Sequence, residues 1–213
     1  MESFSIMDGA MAHAVLGSLK SFNAPIAPWI VPLYPYKGAA GLAGPLLIAY
    51  TRPPKGSPGW EDLRRAANAY PLRLHLSVMT SAFTLEALAD HLRNFMIFCD
   101  GNGETLGLRI GDCRVVACLP DIFLPSQWEA LTAPLEEWQV TNRSGKILSL
   151  PLAESRKQMT GQASALRLTD EQVGRLIEAS EPDGLLHYLG MAPDLASEKL
   201  TQSRHEVAVR DLV

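Results

Sequence analysis

Between Asn23 and Tyr36 the chain reads NAPIAPWIVPLYPY, with proline at 25, 28, 32 and 35. Proline has no backbone N–H and clashes with the preceding turn, so no helix crosses this stretch; extended, turn or polyproline backbone is what remains. The same stretch carries Trp29, Tyr34 and Tyr36, which are costly to expose. They either pack over a sheet or form part of a partner surface. Before the prolines, Ser5–Met7 is short and apolar. Asp8 is placed to cap a helix reaching about Lys20, with Val15 and Leu19 on one face. After them, GAAGLAGP (38–45) has glycine spacing but no Gly-Lys-Ser/Thr, and it leads into a strand. A phosphate loop needs helix N–H groups aimed at the phosphate, so a flexible loop is expected. GPLLIAY (44–50) reads as a buried strand and RPPKGSPG (52–59) as a surface loop.

The rest of the chain continues the alternation. Trp60 to Tyr70 predicts a helix ended by Pro71. LRLHLSV (72–78) alternates like a half-buried strand. Thr84 starts a helix with Leu85, Leu88, Ala89, Leu92 and Phe95 at helical spacing. FMIFC (95–99) and ETLGLRI (104–110) flank DGNG, a strong hairpin signal. A second hairpin is expected at 136–150, turning at NRSG. The polar, weakly patterned segment 153–165 predicts a linker. Thr169 and Gln172 form a capping box, and Pro182 opens another helix stopped by Gly190. The expected fold is therefore α/β: a lobe with a mixed sheet over 1–152, the linker 153–165, and a small helical lobe over 166–213.

With 47% hydrophobic and 20% charged residues and a formal charge of −4, the chain is ordinary for a globular protein. The mild acidity and the lack of a basic run argue against nucleic acid. The start, MESFSIMDGAM, lacks the basic and apolar regions of a signal peptide. The longest apolar run, Gly38 to Tyr50, is too short to span a bilayer. Cys99, Cys113 and Cys118 have no CxxC spacing and fit free thiols in the cytoplasm.

Reactive side chains concentrate most in RIGDCRVVACLP (109–120). A nucleophilic Cys113 needs a base and an electropositive setting. Arg109 and Arg114 supply charge, but a base would have to come from a distant His75 or His91. The structural reading fits better: Asp112 caps a helix carrying Val115, Val116 and Leu119, and the cysteines pack. Histidines 13, 75, 91, 187 and 205 are scattered without metal-ligand spacing, so neither metal nor cofactor is expected. No GxSxG elbow is present.

Three segments carry a resemblance: IMDGAM, GPLLIAY, and LADHLRNFMIFCDGNGETLGLRIGDCRVVACLP, continued by SQWEALTAPLEEWQV. In order and spacing they resemble the type VI secretion effector chaperones, or adaptors, over about residues 5–140. The family usually has Pro where Cys113 stands, which agrees with a helix start there. Its strand before Asp112 is usually more aromatic than here. The resemblance implies a non-enzyme that binds a cognate effector through the effector's N-terminal region, in the cytoplasm, and helps load it onto the valine-glycine-repeat (VgrG) spike. Arg109, Asp112 and Arg114 align with its characteristic Arg and Asp-x-Arg positions, in a structural or a partner-contacting role, the first being favoured.

The candidate partner-contacting residues are Trp29, Tyr34, Tyr36, Arg109, Arg114, Leu176, Leu185 and Tyr188, with Asp112 as a structural cap. The partner surface is expected where the two lobes meet. The competing readings are a cysteine-dependent hydrolase or transferase centred on Cys113 and a small-molecule-binding regulatory domain.

Overall fold

The structure, a computed structural model, describes residues 1–49, 56, 58–70, 72–152 and 166–188, with the backbone alone at 58 and 180–188. The main sheet has six strands: β1 (Glu2–Asp8), β2 (Ile30–Pro32), β3 (Pro45–Ala49), β4 (Leu76–Ser81), β7 (Leu135–Thr141) and β8 (Ile147–Ser149). Their order is β2-β3-β1-β4-β7-β8, and every pairing is antiparallel. A second sheet, β6 (Thr105–Gly107), β5 (Ile97–Cys99) and β9 (Leu166–Arg167), pairs β5 antiparallel with β6 and parallel with β9. The chain is thus α/β as expected, with the mixture of pairings confined to the small sheet.

Register shows where the core lies. Phe4 sits opposite Ala49 and Met79, and Met79 opposite Trp138. Side chains directly opposite share a face, and all four residues are buried. Trp138 donates to the Ser77 hydroxyl at 3.1 Å. Its ring stacks at 6.0 Å on Trp128 of α6 (Pro125–Thr132). On the other face Ser5 lies opposite Ile48 and Val78. Ser5 and Ile48 are buried, but Val78 is 41% exposed, so this face is open over its β4 side.

The helices begin and end where local chemistry dictates. Asp8 caps α1 (Gly9–Leu16), which stops at Leu16 rather than near Lys20 because Gly17 turns into the left-handed region at φ 70°. Thr84 caps α4 (Leu85–Arg93) as expected. α3 spans Pro58–Ala67. The glycine-rich 38–45 segment is not simply a loop, since Ala39–Leu42 form a one-turn helix, α2. The strand expected at 72–78 begins four residues later, at Leu76. Arg73 adopts φ 50° in a turn ahead of it, and its N–H bonds to the Tyr70 carbonyl. Both hairpins form at DGNG and NRSG.

At the C-terminal end, the Thr169–Gln172 capping box is present in both directions, at 3.2 and 3.0 Å. The helix it starts, α7 (Asp170–Tyr188), runs past Pro182 as one helix where two were expected. Segment 166–179 joins the rest of the chain through the β5–β9 pairing and buried Leu166 and Leu168. The linker expected at 153–165 lies outside the described residues.

Candidate functional site

The RIGDCRVVACLP segment folds into the end of a strand connection and a helix, α5 (Cys113–Ile122). Asp112 is its N-cap, accepting from the Arg114 backbone N–H at 3.0 Å. The same carboxylate takes a two-point contact from the Arg114 guanidinium, at 2.9 and 2.7 Å. A planar fork meeting a carboxylate in this way is the stronger form of ion pair.

Asp8 does the equivalent at the start of α1. Its Oδ1 accepts from Ala10 and Met11 N–H at 2.9 and 3.2 Å, and its Oδ2 accepts from Arg109 at 2.7 Å. The Arg109 group also lies 4.0 Å from Asp112 Oδ2. Two helix starts far apart in sequence therefore share one network of two carboxylates and two guanidinium groups. Both carboxylates are only 7% exposed, Arg114 is 17% exposed and Arg109 57%.

Backbone contacts hold the two helix starts together. Asp8 N–H donates to the His75 carbonyl at 2.9 Å, and Cys113 N–H to the Leu74 carbonyl at 2.7 Å. Gly111 permits the approach, because a Cβ there would lie 2.8 Å from Asp8 Cα. Burial works against the Arg109 charge, but the Asp8 hydrogen bond and field outweigh it and hold its pKa above the usual guanidinium value.

Beside this network is a cleft of about 290 Å³, with Asp8, Tyr34 and Arg109 on its walls and Ala10, Ala43 and Pro45 as small apolar surface. The Tyr34 hydroxyl donates to the Leu108 carbonyl at 3.4 Å. Burial raises the phenol's pKa, against a smaller opposing effect from Arg109. Tyr34 fits because Gly107 has no side chain: a Cβ there would stand 2.8 Å from the hydroxyl oxygen. The cleft thus lies within the first 111 residues, away from the junction with 166–188 where a partner surface was expected.

The other candidates separate. Trp29 is buried and packs edge-on against Trp60 at 6.5 Å. Tyr36 is 56% exposed and meets Tyr34 edge-on at 6.0 Å. Leu176 is half-buried against the core, whereas the side chains of Leu185 and Tyr188 lie outside the described residues. Asp112 is the cap the sequence predicted.

Cys113 is fully buried, and its thiol hydrogen-bonds the Leu76 carbonyl at 3.3 Å. Burial, with a smaller push from Asp112, raises its pKa to about 11, so it stays protonated at neutral pH. His75 and His91 bond instead to the Ala66 and Leu131 carbonyls, at 2.9 and 3.0 Å. Among the described residues no three His, Cys, Asp or Glu side chains gather as a metal site. No described helix is long and apolar enough to cross a membrane.

Reading the sequence placed Asp112, Arg109 and Arg114 together but missed Asp8 as Arg109's partner, 101 residues away. Asp8 carried only its capping signal. Nothing local marked Tyr34 as a wall of the same cleft.

A family model described as a domain of unknown function, DUF4123, matches residues 3–130. The chain belongs to this family. The matched segment contains both helix starts, all four charged residues of the network and the whole cleft. No curated protein and no solved structure matches the chain.

Proposed function

We propose that this DUF4123 protein is an adaptor that binds a cognate type VI secretion effector in the cytoplasm and helps load it onto the VgrG spike. Membership of a family associated with type VI effectors, over residues 3–130, carries the reading. The site chemistry is compatible with it. The most reactive-looking segment spends its charges on helix caps and ion pairs, and its buried thiol is protonated. The exposed remainder of the network, Arg109 beside a small apolar cleft, is the kind of surface that recognises a peptide segment.

The test is deletion of the gene in its native bacterium, followed by assay of the secreted effector encoded beside it. Secretion should stop while a reference effector is still exported, and the tagged full-length chain should co-purify with the effector through gel filtration. Normal secretion in the deletion strain would end the adaptor reading. Cys113→Ala should complement the deletion; failure with an intact fold would favour the cysteine-enzyme alternative.

A further inference from the structure

β6 is the outer strand of the small sheet. The bonds from Asp100 N–H to the Glu104 carbonyl and from Leu108 N–H to the Met96 carbonyl set its pairing phase. With Phe98 opposite Leu106, residues 104 and 106 and the Leu108 N–H face β5. Thr105 and Gly107 therefore point N–H and C=O outward, and no strand meets them among the described residues. Such an edge is a template for one more strand.

The edges at β2 and β9 are blunted. On β2, Pro32 has no N–H and its carbonyl accepts from Arg93 at 3.0 Å. On β9, the Arg167 carbonyl accepts from Gln127 at 2.8 Å. The β8 edge at Ile147 and Ser149 is exposed but runs into Pro151, which offers no donor.

What sets β6 apart is where it leads. Two residues beyond Gly107, Arg109 lines the cleft together with Tyr34. Asp8 and Asp112 balance Arg109 and Arg114 in charge. Yet Arg109 bonds Asp8 through one guanidinium nitrogen, and no other hydrogen bond of its five N–H donors is present among the described residues. A charge-balanced, donor-rich wall suits a neutral acceptor, a peptide carbonyl, better than a carboxylate. The apolar surface from Ala10, Ala43 and Pro45 suits an aliphatic side chain beside it. At about 290 Å³ the cleft is at the lower end of ligand pockets and too small for a helix.

We propose that β6 and the Arg109–Tyr34 cleft form one peptide site, which takes an extended segment of the partner protein as an added strand, with one of its carbonyls on Arg109 and one aliphatic side chain in the cleft. As the place where an effector is held, this rests on the adaptor reading. As a strand-binding site it stands by itself.

The probe is a library of acetylated, amidated heptapeptides screened against the full chain by fluorescence polarisation. The best binder is then remade with alternate backbone nitrogens methylated. Methylation in one of the two alternating phases should abolish binding, since it removes the donors to β6. Bound peptide should slow hydrogen exchange at Thr105 and Gly107 and leave Ile147 and Ser149 unchanged. Thr105→Pro should weaken binding about tenfold, the scale of a lost hydrogen bond. Ala43→Trp, which fills the cleft from an exposed position, should do at least as much; Ser149→Pro should do nothing.

Absence of any bound heptapeptide, indifference to both methylation phases, or protection at β8 instead would each overturn the proposal. Capture of the co-expressed effector separates the two readings. Equal capture by wild type and Thr105→Pro sinks the strand site and leaves the adaptor. Peptide binding at β6 with no effector captured by wild type leaves the site and sinks the adaptor.

Discussion

Asp112 combines two tasks that substitution can separate. Its Oδ1 caps α5, and both oxygens hold the Arg114 guanidinium. Asp112→Asn keeps an acceptor for the helix but loses the charge pair; Asp112→Ala loses both. The expected cost is about 1 to 2 kcal/mol for Asn and about 2 to 3 kcal/mol for Ala, read from urea unfolding midpoints. Equal costs would mean that one of the two tasks contributes nothing.

His75 makes a second residue-scale case. Burial lowers its pKa, against a smaller opposing effect of its bond to the Ala66 carbonyl. That bond requires the proton on Nε2, and the buried Nδ1 has no partner among the described residues. The folded state thus binds a proton less readily than the unfolded chain, whose imidazole titrates near 6.5. The linkage is absent well above that value and grows as pH falls through it, by up to about 1.4 kcal/mol per pH unit. Unfolding at pH 7.5 and 5.5 should show stability lost on acidification. His75→Gln should show a smaller difference between the two; an unchanged difference would mean that His75 is not the group responsible.

At the scale of elements, one side chain at the start of α7 gathers several hydrogen bonds to the first lobe. Gln172 completes the Thr169 capping box with its oxygen, while its nitrogen donates to the buried Ile122 carbonyl at 2.9 Å and to Gln127 at 2.7 Å. Gln127 in turn reaches the Leu124 N–H and the Arg167 carbonyl, each at 2.8 Å. The ends of α5, α6, β9 and α7 therefore meet in one relay of amides. Gln172→Ala leaves a buried carbonyl unsatisfied and should cost about 1 to 3 kcal/mol. Limited proteolysis should then cut near residue 166 before the rest of the chain. Cleavage as slow as in wild type would show that the buried Leu166 and Leu168 suffice to hold the segment.

For the molecule as a whole, the same contacts bear on how far 166–213 is a separate unit. β9 adds a parallel partner to β5, and α7 packs on α5. A chain ending at residue 165 would uncover the β5 edge at Phe98 and the end of α5 at Ile122, both now buried. Such a truncation should keep its main sheet by circular dichroism but unfold at lower denaturant than the full chain. An unchanged midpoint would make the C-terminal segment an independent lobe in the energetic sense.

Much of this was legible in the residues themselves, for one reason: caps, turns and prolines act over a few positions. Asp8, Thr84, Asp112 and Thr169 start their helices because a side-chain oxygen meets N–H groups two or three residues on. DGNG and NRSG turn their hairpins, and four prolines keep 25–35 out of a helix. Local rules misjudged the strand after Pro71, where a turn at Arg73 delays pairing, and the run through Pro182. What they could not supply is pairing across distance. An Asp–Arg bond spanning 101 residues, the order β2-β3-β1-β4-β7-β8, and the meeting of Tyr34 with Arg109 carry no sequence period. They exist because antiparallel strands bring Asp8 beside His75 and Pro45, and because glycines at 44, 107 and 111 leave the space. The sequence alone determined which caps start α1, α4, α5 and α7 and where the two hairpins turn; tertiary packing decided which charges meet, and so where the cleft opens.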